Sequence, residues 1–163
     1  MRYHQKGKNM ENEIAVTSIE NKIYMIRGQQ VMIDRDIAAL YGVETKRLNE
    51  QVKRNIERFP EEFCFQLNKD ENEYLKSQIV ISKQSDSDFL RSQIATSKLE
   101  TRGGRQYLPY AFTEQGVAML FAVLKSETAV KMSIQIMKAF VAMRKFMLVN
   151  AQVFQRLDKI ERH

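Results

Sequence analysis

A chain of 163 residues, 44% of them hydrophobic, has room for one domain with its own core and is too short to require two. Its 26 basic residues against 20 acidic ones leave a net charge of +6, which favours a polyanionic partner such as nucleic acid or an anionic surface. No run of about 18 uncharged apolar residues is available to span a membrane, and the opening MRYHQKGKNMEN lacks the apolar stretch of a secretory signal, so a cytoplasmic location is expected.

Residues 1–13 carry Arg2, Lys6 and Lys8 with no acid before Glu11, show no apolar period, and read as a flexible basic tail. Between Ile14 and Ile33 the density of Ile, Val, Tyr and Met predicts two strands, with Gly28-Gln29-Gln30 as the turn. From Asp34 the pattern changes: Ile37, Leu40 and Tyr41 recur at helical spacing, Asp34 is placed to accept from first-turn amides, and Gly42 ends the helix. A second helix is predicted from Thr45 to Arg58, with Leu48, Val52 and Ile56 along one side, until Phe59-Pro60 stops it. Phe63 to Leu67 reads as a short strand holding the single cysteine, Cys64, as a buried spacer. A lone cysteine excludes an intrachain disulfide and a thiolate metal cluster.

Asn68 and Glu71 form a capping-box-like start for a helix through Tyr74 and Leu75. Tyr74 to Lys83 (YLKSQIVISK) and Phe89 to Lys98 (FLRSQIATSK) nearly repeat each other. Two copies are too few for a solenoid, which needs at least about three, so a duplicated packing segment with a mobile linker is expected. Gly103-Gly104 predicts a turn and Arg105 to Tyr110 a strand; Thr113 caps a helix whose apolar run is Val117, Ala118, Leu120, Phe121 and Leu124. Ser126 opens the longest helix, where Val130, Ile134, Met137 and Val141 repeat at four, three and four. Met119, Phe121, Met132, Met137, Phe140 and Met143 fall at core spacing. Phe146, Val149, Val153, Leu157 and Ile160 continue the rhythm on a new stripe that calls for a partner, and a homodimer joined there is expected.

The expected fold class is therefore α+β: a small antiparallel sheet, built near Ile23, Val31, Phe63 and Tyr107, and a mainly helical carboxyl half ending in a long amphipathic helix. Residues 14–147 form the domain, and 148–163 a helical extension of coiled-coil character.

The segment from Asp34 to Arg58 has the anatomy of a helix-turn-helix. Two helices that cross steeply need a small residue at their approach, a residue tolerant of positive φ at the turn, and apolar anchors. Ala38, Gly42, Ile37, Val43, Leu48 and Val52 supply these. Thr45, Lys46, Asn49, Glu50 and Lys53 would then face outward. Asn49 suits an adenine edge and Thr45 a thymine methyl or a phosphate, while Lys46, Arg47, Lys53, Arg54 and Arg58 suit phosphates or guanine. Glu50 and Glu57 work against a purely electrostatic patch and favour selectivity, since an acid near phosphate costs affinity unless it accepts from cytosine. The same spacing also describes a packed helical hairpin with solvated charges, and spacing does not separate the two.

Catalysis finds no support in residue pattern. The histidines, His4 and His163, sit at the chain ends, and Cys64 has none near it in sequence. Glu61, Glu62, Asp70, Glu71 and Glu73 follow no metal-ligand spacing and suit a helix start instead. No cofactor or metal is expected. Arg102 and Arg105 around Gly103-Gly104 suit a basic wing on neighbouring DNA backbone, though a GG pair more often makes only a turn.

Three separated segments in order, MIDRDIAALYGVETKRLNEQVKRNIERFPEEFCFQL, SQIATSK and GGRQYLPYAFTEQGVAMLFAVL, resemble the ORF-six amino-terminal domain of phage and prophage proteins. The resemblance covers roughly Ile14 to Met147. It is related to the KilA-N and Bro-N domains, and it implies a DNA-binding module of regulatory or antirepressor-like proteins with double-stranded DNA as partner. It supports Asp34 to Arg58 as the recognition unit, with GGRQYLPYAFTEQG packed behind it. The duplicated SQI segment departs from the single copy that the family pattern implies. The competing expectation is an antirepressor that binds a repressor protein through the last helix with little DNA contact.

Overall fold

The computed structural model describes residues 18–82 and 107–161. Strands β1 (Tyr24–Ile26) and β2 (Gln29–Ile33) lead into helices α1 (Asp34–Tyr41) and α2 (Thr45–Arg54), a 3-10 turn (Ile56–Arg58), β3 (Cys64–Gln66) and α3 (Lys69–Ser82). After the undescribed segment come β4 (Tyr110–Thr113), α4 (Glu114–Leu124) and the long α5 (Glu127–Glu161). The basic tail, the second SQI copy, Gly103-Gly104, Arg102 and Arg105 lie outside the described residues.

The sheet is antiparallel throughout, in the order β1-β2-β4-β3. The last strand in sequence is thus inserted between the second and the third, and Phe112 pairs with Met32 on one side and Cys64 on the other. Both faces of the sheet are covered. Val31, Ile33, Ala111 and Phe65 point to one side and pack on Leu67 and Leu75 of the α3 side. Met32 and Phe112 point to the other and join Ile37, Leu48, Val52, Val117, Leu120, Ile136 and Phe140. Strands buried on two faces read as continuous apolar runs, and VMI in β2 and AF in β4 do so. Phe59 meets Phe112 edge-on, centroids 6.3 Å apart at 89°, an arrangement the ring quadrupoles favour.

The first hairpin turns on Arg27-Gly28, with φ of 55° and 72°, rather than on Gly28-Gln29-Gln30. A two-residue turn that matches strand twist needs positive φ at both central positions, so Gln29 and Gln30 are free to enter β2. Arg27 tolerates this conformation because its side chain is held: Nε and Nη2 donate to Glu71 at 2.9 and 3.0 Å. Its guanidinium also lies 4.2 Å from the Phe65 ring centre. That hydrogen-bonded guanidinium holds the Glu71 carboxyl below its ordinary pKa.

The capping box is present as a reciprocal pair: Glu71 N donates to Asn68 Oδ1 at 2.8 Å and Asn68 N to Glu71 Oε1 at 3.0 Å. Thr113 Oγ1 accepts from Gly116 N at 3.3 Å to open α4, and Ser126 Oγ accepts from Ala129 N at 3.0 Å to open α5. The strand expected at Arg105 to Tyr110 begins only at Tyr110. Pro109, which has no amide to give a ladder, instead accepts from Leu67 N at 2.9 Å.

Helix α5 presents a face other than the stripe at Val130, Ile134, Met137 and Val141. Over residues 127–152 its buried residues are Ala129, Ser133, Ile136, Ala139 and Phe140, while Val130, Ile134 and Val141 are 39%, 51% and 38% exposed. The small Ala129 and Ser133 permit close approach to the domain, and Tyr41 Oη and Ser133 Oγ lie 2.7 Å apart in a buried hydrogen bond between α1 and α5.

Gly116 marks the tightest approach, since a Cβ there would stand 2.0 Å from the Phe63 carbonyl oxygen. Gly116→Ala is expected to destabilise the protein by about 3 kcal/mol, at the upper end of the overpacking range because backbone cannot rotate away. A denaturant midpoint equal to that of the parent protein would contradict this packing.

Candidate nucleic-acid interface

Helix α2 is held on one side and open on the other. Its apolar positions Leu48 and Val52 are buried in the main core. The turn before it is tight: Gly42 takes φ 69° and ψ 30°, Val43 N donates to the Ala38 carbonyl at 3.0 Å and Gly42 N to Ala39 at 3.3 Å. Ile37 and Ala38 are buried as expected, but Val43 is 37% exposed and belongs to neither apolar core cluster. Leu48 and Val52 suffice because they sit one turn apart on the side facing α1.

The other restraint on α2 is Asp34, whose carboxylate is wholly buried. Oδ1 accepts from Arg35 N at 2.7 Å. Oδ2 accepts from Asn49 Nδ2 at 3.0 Å, from Tyr110 N at 3.3 Å and from the Tyr107 hydroxyl. Asn49 Nδ2 donates at 2.8 Å to the Tyr107 oxygen as well. One buried carboxylate thus joins the start of α1, the middle of α2 and the approach to β4. Burial first, and then the Asp34 hydrogen bond and charge, raise the Tyr107 hydroxyl above its ordinary pKa.

This geometry changes the expected reading face. Asn49 is not turned outward: both hydrogens of its amide are engaged within the domain, and its Oδ1 is buried without a partner. Thr45 is half-buried on the same side. The helix also ends four residues early. Asn55 leaves helical geometry (φ −119°, ψ 34°) and its side chain donates to Gln51 O at 2.9 Å. The chain then tightens into the 3-10 turn that buries Phe59 and leaves Ile56 61% exposed.

What remains exposed on α2 is Lys46, Arg47, Glu50, Lys53 and Arg54, with Glu57 and Arg58 in the turn beyond. At about 100° per residue, Glu50 lies in the middle of the open arc. Lys46 and Lys53, seven apart, run along one edge, and Arg47 and Arg54, also seven apart, along the other. Among the described residues none of these cations forms an ion pair; the ion pairs lie elsewhere, at Arg27–Glu71, Arg27–Glu61 and Arg144–Glu114. Four free cations around one acid is an arrangement suited to a polyanion that offers a donor at its centre.

The ORF6N domain family matches residues 21–123, more than half of the chain. The chain belongs to that family. The match takes in the sheet, α1, α2 and nearly all of α4, so the clamped helix lies within the ORF6N domain and α5 lies beyond it. The membership agrees with the resemblance to phage-type regulatory proteins. No curated protein and no solved structure matches the chain.

Other candidates fall outside this site. Burial, with a smaller contribution from the Asp34 charge, pushes the Cys64 thiol up to about 12, which keeps it protonated and poorly nucleophilic at neutral pH. Glu61 and Glu71 face Arg27, and among the described residues no group of three or more His, Cys, Asp or Glu is placed to hold a metal. No described helix is long and apolar enough to cross a membrane. Tyr107, expected only as part of a strand, is the residue whose role at Asp34 pattern reading missed. Its only sequence signal is indirect: Asp34 follows the apolar run VMI without a spacer, which places an acid at the edge of the core and requires donors from elsewhere.

Asp34→Ala leaves one hydrogen of the Asn49 amide, the Tyr107 hydroxyl and the Tyr110 amide without their acceptor and is expected to cost about 3 kcal/mol or more, given about 1.5–3 for a hydrogen bond to a charged group. The Tyr107 pKa is raised in the folded state, so its contribution is fully present below about pH 10 and is lost as pH climbs beyond that. Alkaline unfolding of Tyr107→Phe should therefore fall off less steeply above pH 10 than that of the parent; identical slopes would remove Tyr107 from the linkage.

Proposed function

We propose that the protein binds double-stranded DNA as a phage-type transcriptional regulator, with α1 and α2 acting as a helix-turn-helix and the exposed face of α2 lying in the major groove. The observation that carries this reading is the row of unpaired cations on a helix whose opposite face is clamped by Leu48, Val52 and the Asp34–Asn49 bond. A fixed helix loses little freedom on binding. Lys46 and Lys53 then take the phosphates of one strand and Arg47 and Arg54 those of the other or a guanine edge, with Arg58 extending the contact. Glu50, at the centre, accepts from cytosine N4. Asn49 positions α2 rather than reading a base. Arg102 and Arg105 are assigned a supporting role on adjacent backbone.

The protein acts by binding rather than catalysis in this reading. A homodimer presents two α2 helices to half-sites about one helical turn apart, joined through the end of α5. The exposure of Phe146 and Val149, at 60% and 58%, supports that joint, and Val153, Leu157 and Ile160 continue in the same helix. A second reading, an antirepressor that binds a repressor protein through α5, draws on the same exposed apolar residues.

Salt dependence tests the DNA reading. Affinity for duplex should fall steeply with salt, and Lys46→Ala or Lys53→Ala should each reduce the slope of log K against log salt by about 1. Glu50→Gln should tighten binding to random duplex while narrowing the gap between selected and random sequences. Selection from a random duplex pool should return a palindrome. Absence of binding to any duplex at low salt overturns the proposal.

A further inference from the structure

Helices α4 and α5 leave an open groove of about 600 Å³ between them, lined by Phe121 of α4 and by Val130, Ile134, Met137 and Val141 of α5. Of this apolar stripe the domain leaves Val130, Ile134 and Val141 exposed, while Met137 packs partly against the core. Beside it runs a row of lysines seven residues apart, Lys131, Lys138 and Lys145, all exposed and all without an ion pair among the described residues. Lys138 and Lys145 line the groove itself. Between Glu127 and Asp158 the helix carries no acidic residue at all.

We propose that this groove is the docking site for an acidic amphipathic helix of another protein. The spacing of 130, 134, 137 and 141 is that of alternating d and a positions, which puts the three lysines at e. The g positions, Ser133 and Phe140, are 5% and 1% exposed because they pack into the domain. A second copy of the chain is thereby a poor occupant. Antiparallel pairing of two α5 helices sets e against e and lysine against lysine; parallel pairing needs g, which is sealed. The complementary occupant is a helix with apolar residues at i, i+3, i+4 and i+7 and glutamate or aspartate along the flank that meets the lysines. The inference supplies the surface and the partner chemistry for the protein-interaction reading and stands apart from the DNA reading.

The test uses the full chain and two labelled synthetic peptides of about three heptads, identical in their leucine a and d positions, one with Glu and the other with Lys at every e and g. Like-charge repulsion keeps each peptide monomeric. Fluorescence anisotropy should show the Glu peptide binding at least about tenfold more tightly than the Lys peptide, with a preference that shrinks as salt rises. Ile134→Asp, a change at an exposed position, should weaken the Glu peptide by about tenfold or more while leaving the melting temperature in place. The double change Lys138→Glu with Lys145→Glu should reverse the preference, and this arm stands even if Ile134→Asp fails to fold. Lys46→Ala with Lys53→Ala should leave peptide binding unchanged, and so should Phe146→Asp. Equal binding of both peptides, binding of neither, or loss on Phe146→Asp in place of Ile134→Asp overturns the groove assignment. So does sedimentation of the parent as a dimer that Ile134→Asp converts to monomer, or Ile134-dependent binding to phosphatidylserine vesicles without peptide binding.

Discussion

A carboxylate taken wholly out of water is among the costliest groups a fold can bury, and Asp34 is tolerable only because donors from three parts of the chain converge on it. The adjacent amide of Arg35 comes with α1. The Asn49 amide arrives only when α2 is docked, and Tyr107 and the Tyr110 amide only when the distant segment 107–110 reaches its place between β2 and β3. Removing one contributor leaves the others around an under-satisfied charge, which is the expensive outcome for any buried polar network. The pose of α2 and the entry of β4 are therefore one event rather than two.

That event also closes the sheet. Strand β4 supplies both missing neighbours, pairing with β2 and β3 at once, so the strands of the amino-terminal half have no continuous sheet until residues 110–113 insert. The same strand carries Ala111 into one core and Phe112 into the other. Thr113 then ends it with a cap that starts α4, and its hydroxyl faces the Phe63 carbonyl, 3.3 Å away, across the junction with β3. The domain is long-range in its wiring although most of its described residues lie in helices.

Much of this was legible in sequence where one local rule governs. Gly42 after a helical run, Asn68 with Glu71, Thr113 and Ser126 before apolar stretches all act within a few residues, and all sit where their chemistry requires. Readings failed where two local rules competed. Apolar period alone does not say which stripe of a two-striped helix meets the domain, and in α5 the small residues Ala129 and Ser133, not the bulkier Val130 and Ile134, allow the closer contact. Helical period likewise carried α2 through Ile56, but burying Phe59 demanded a tighter turn at Asn55. For the candidate interface, Lys46, Glu50 and Lys53 were visible as outward from spacing, whereas Thr45 and Asn49 of the same expected set turn inward and Arg47 and Arg54, named only for phosphate or guanine, complete the exposed face. The inward role of Asn49 was not visible, because its partners lie 15 and 58 residues away.

Net charge pointed to a polyanion without saying where or of what kind. The fold sets free cations on two surfaces whose companions differ. On α2 the free cations surround an acid and no large apolar side chain lies among them, so a partner there keeps its hydration and is met by directed polar contacts, as a nucleic acid is. On α5 the free lysines border Val130, Ile134 and Val141, so a partner there must lose water along one flank and present anions along the next, as an amphipathic helix does. In both proposals lysines serve the surface, and the neighbouring residue, Glu50 in one case and Ile134 in the other, is what distinguishes the chemical class of the proposed partner. The buried Tyr41–Ser133 hydrogen bond ties α1 to α5, so one frame holds both surfaces.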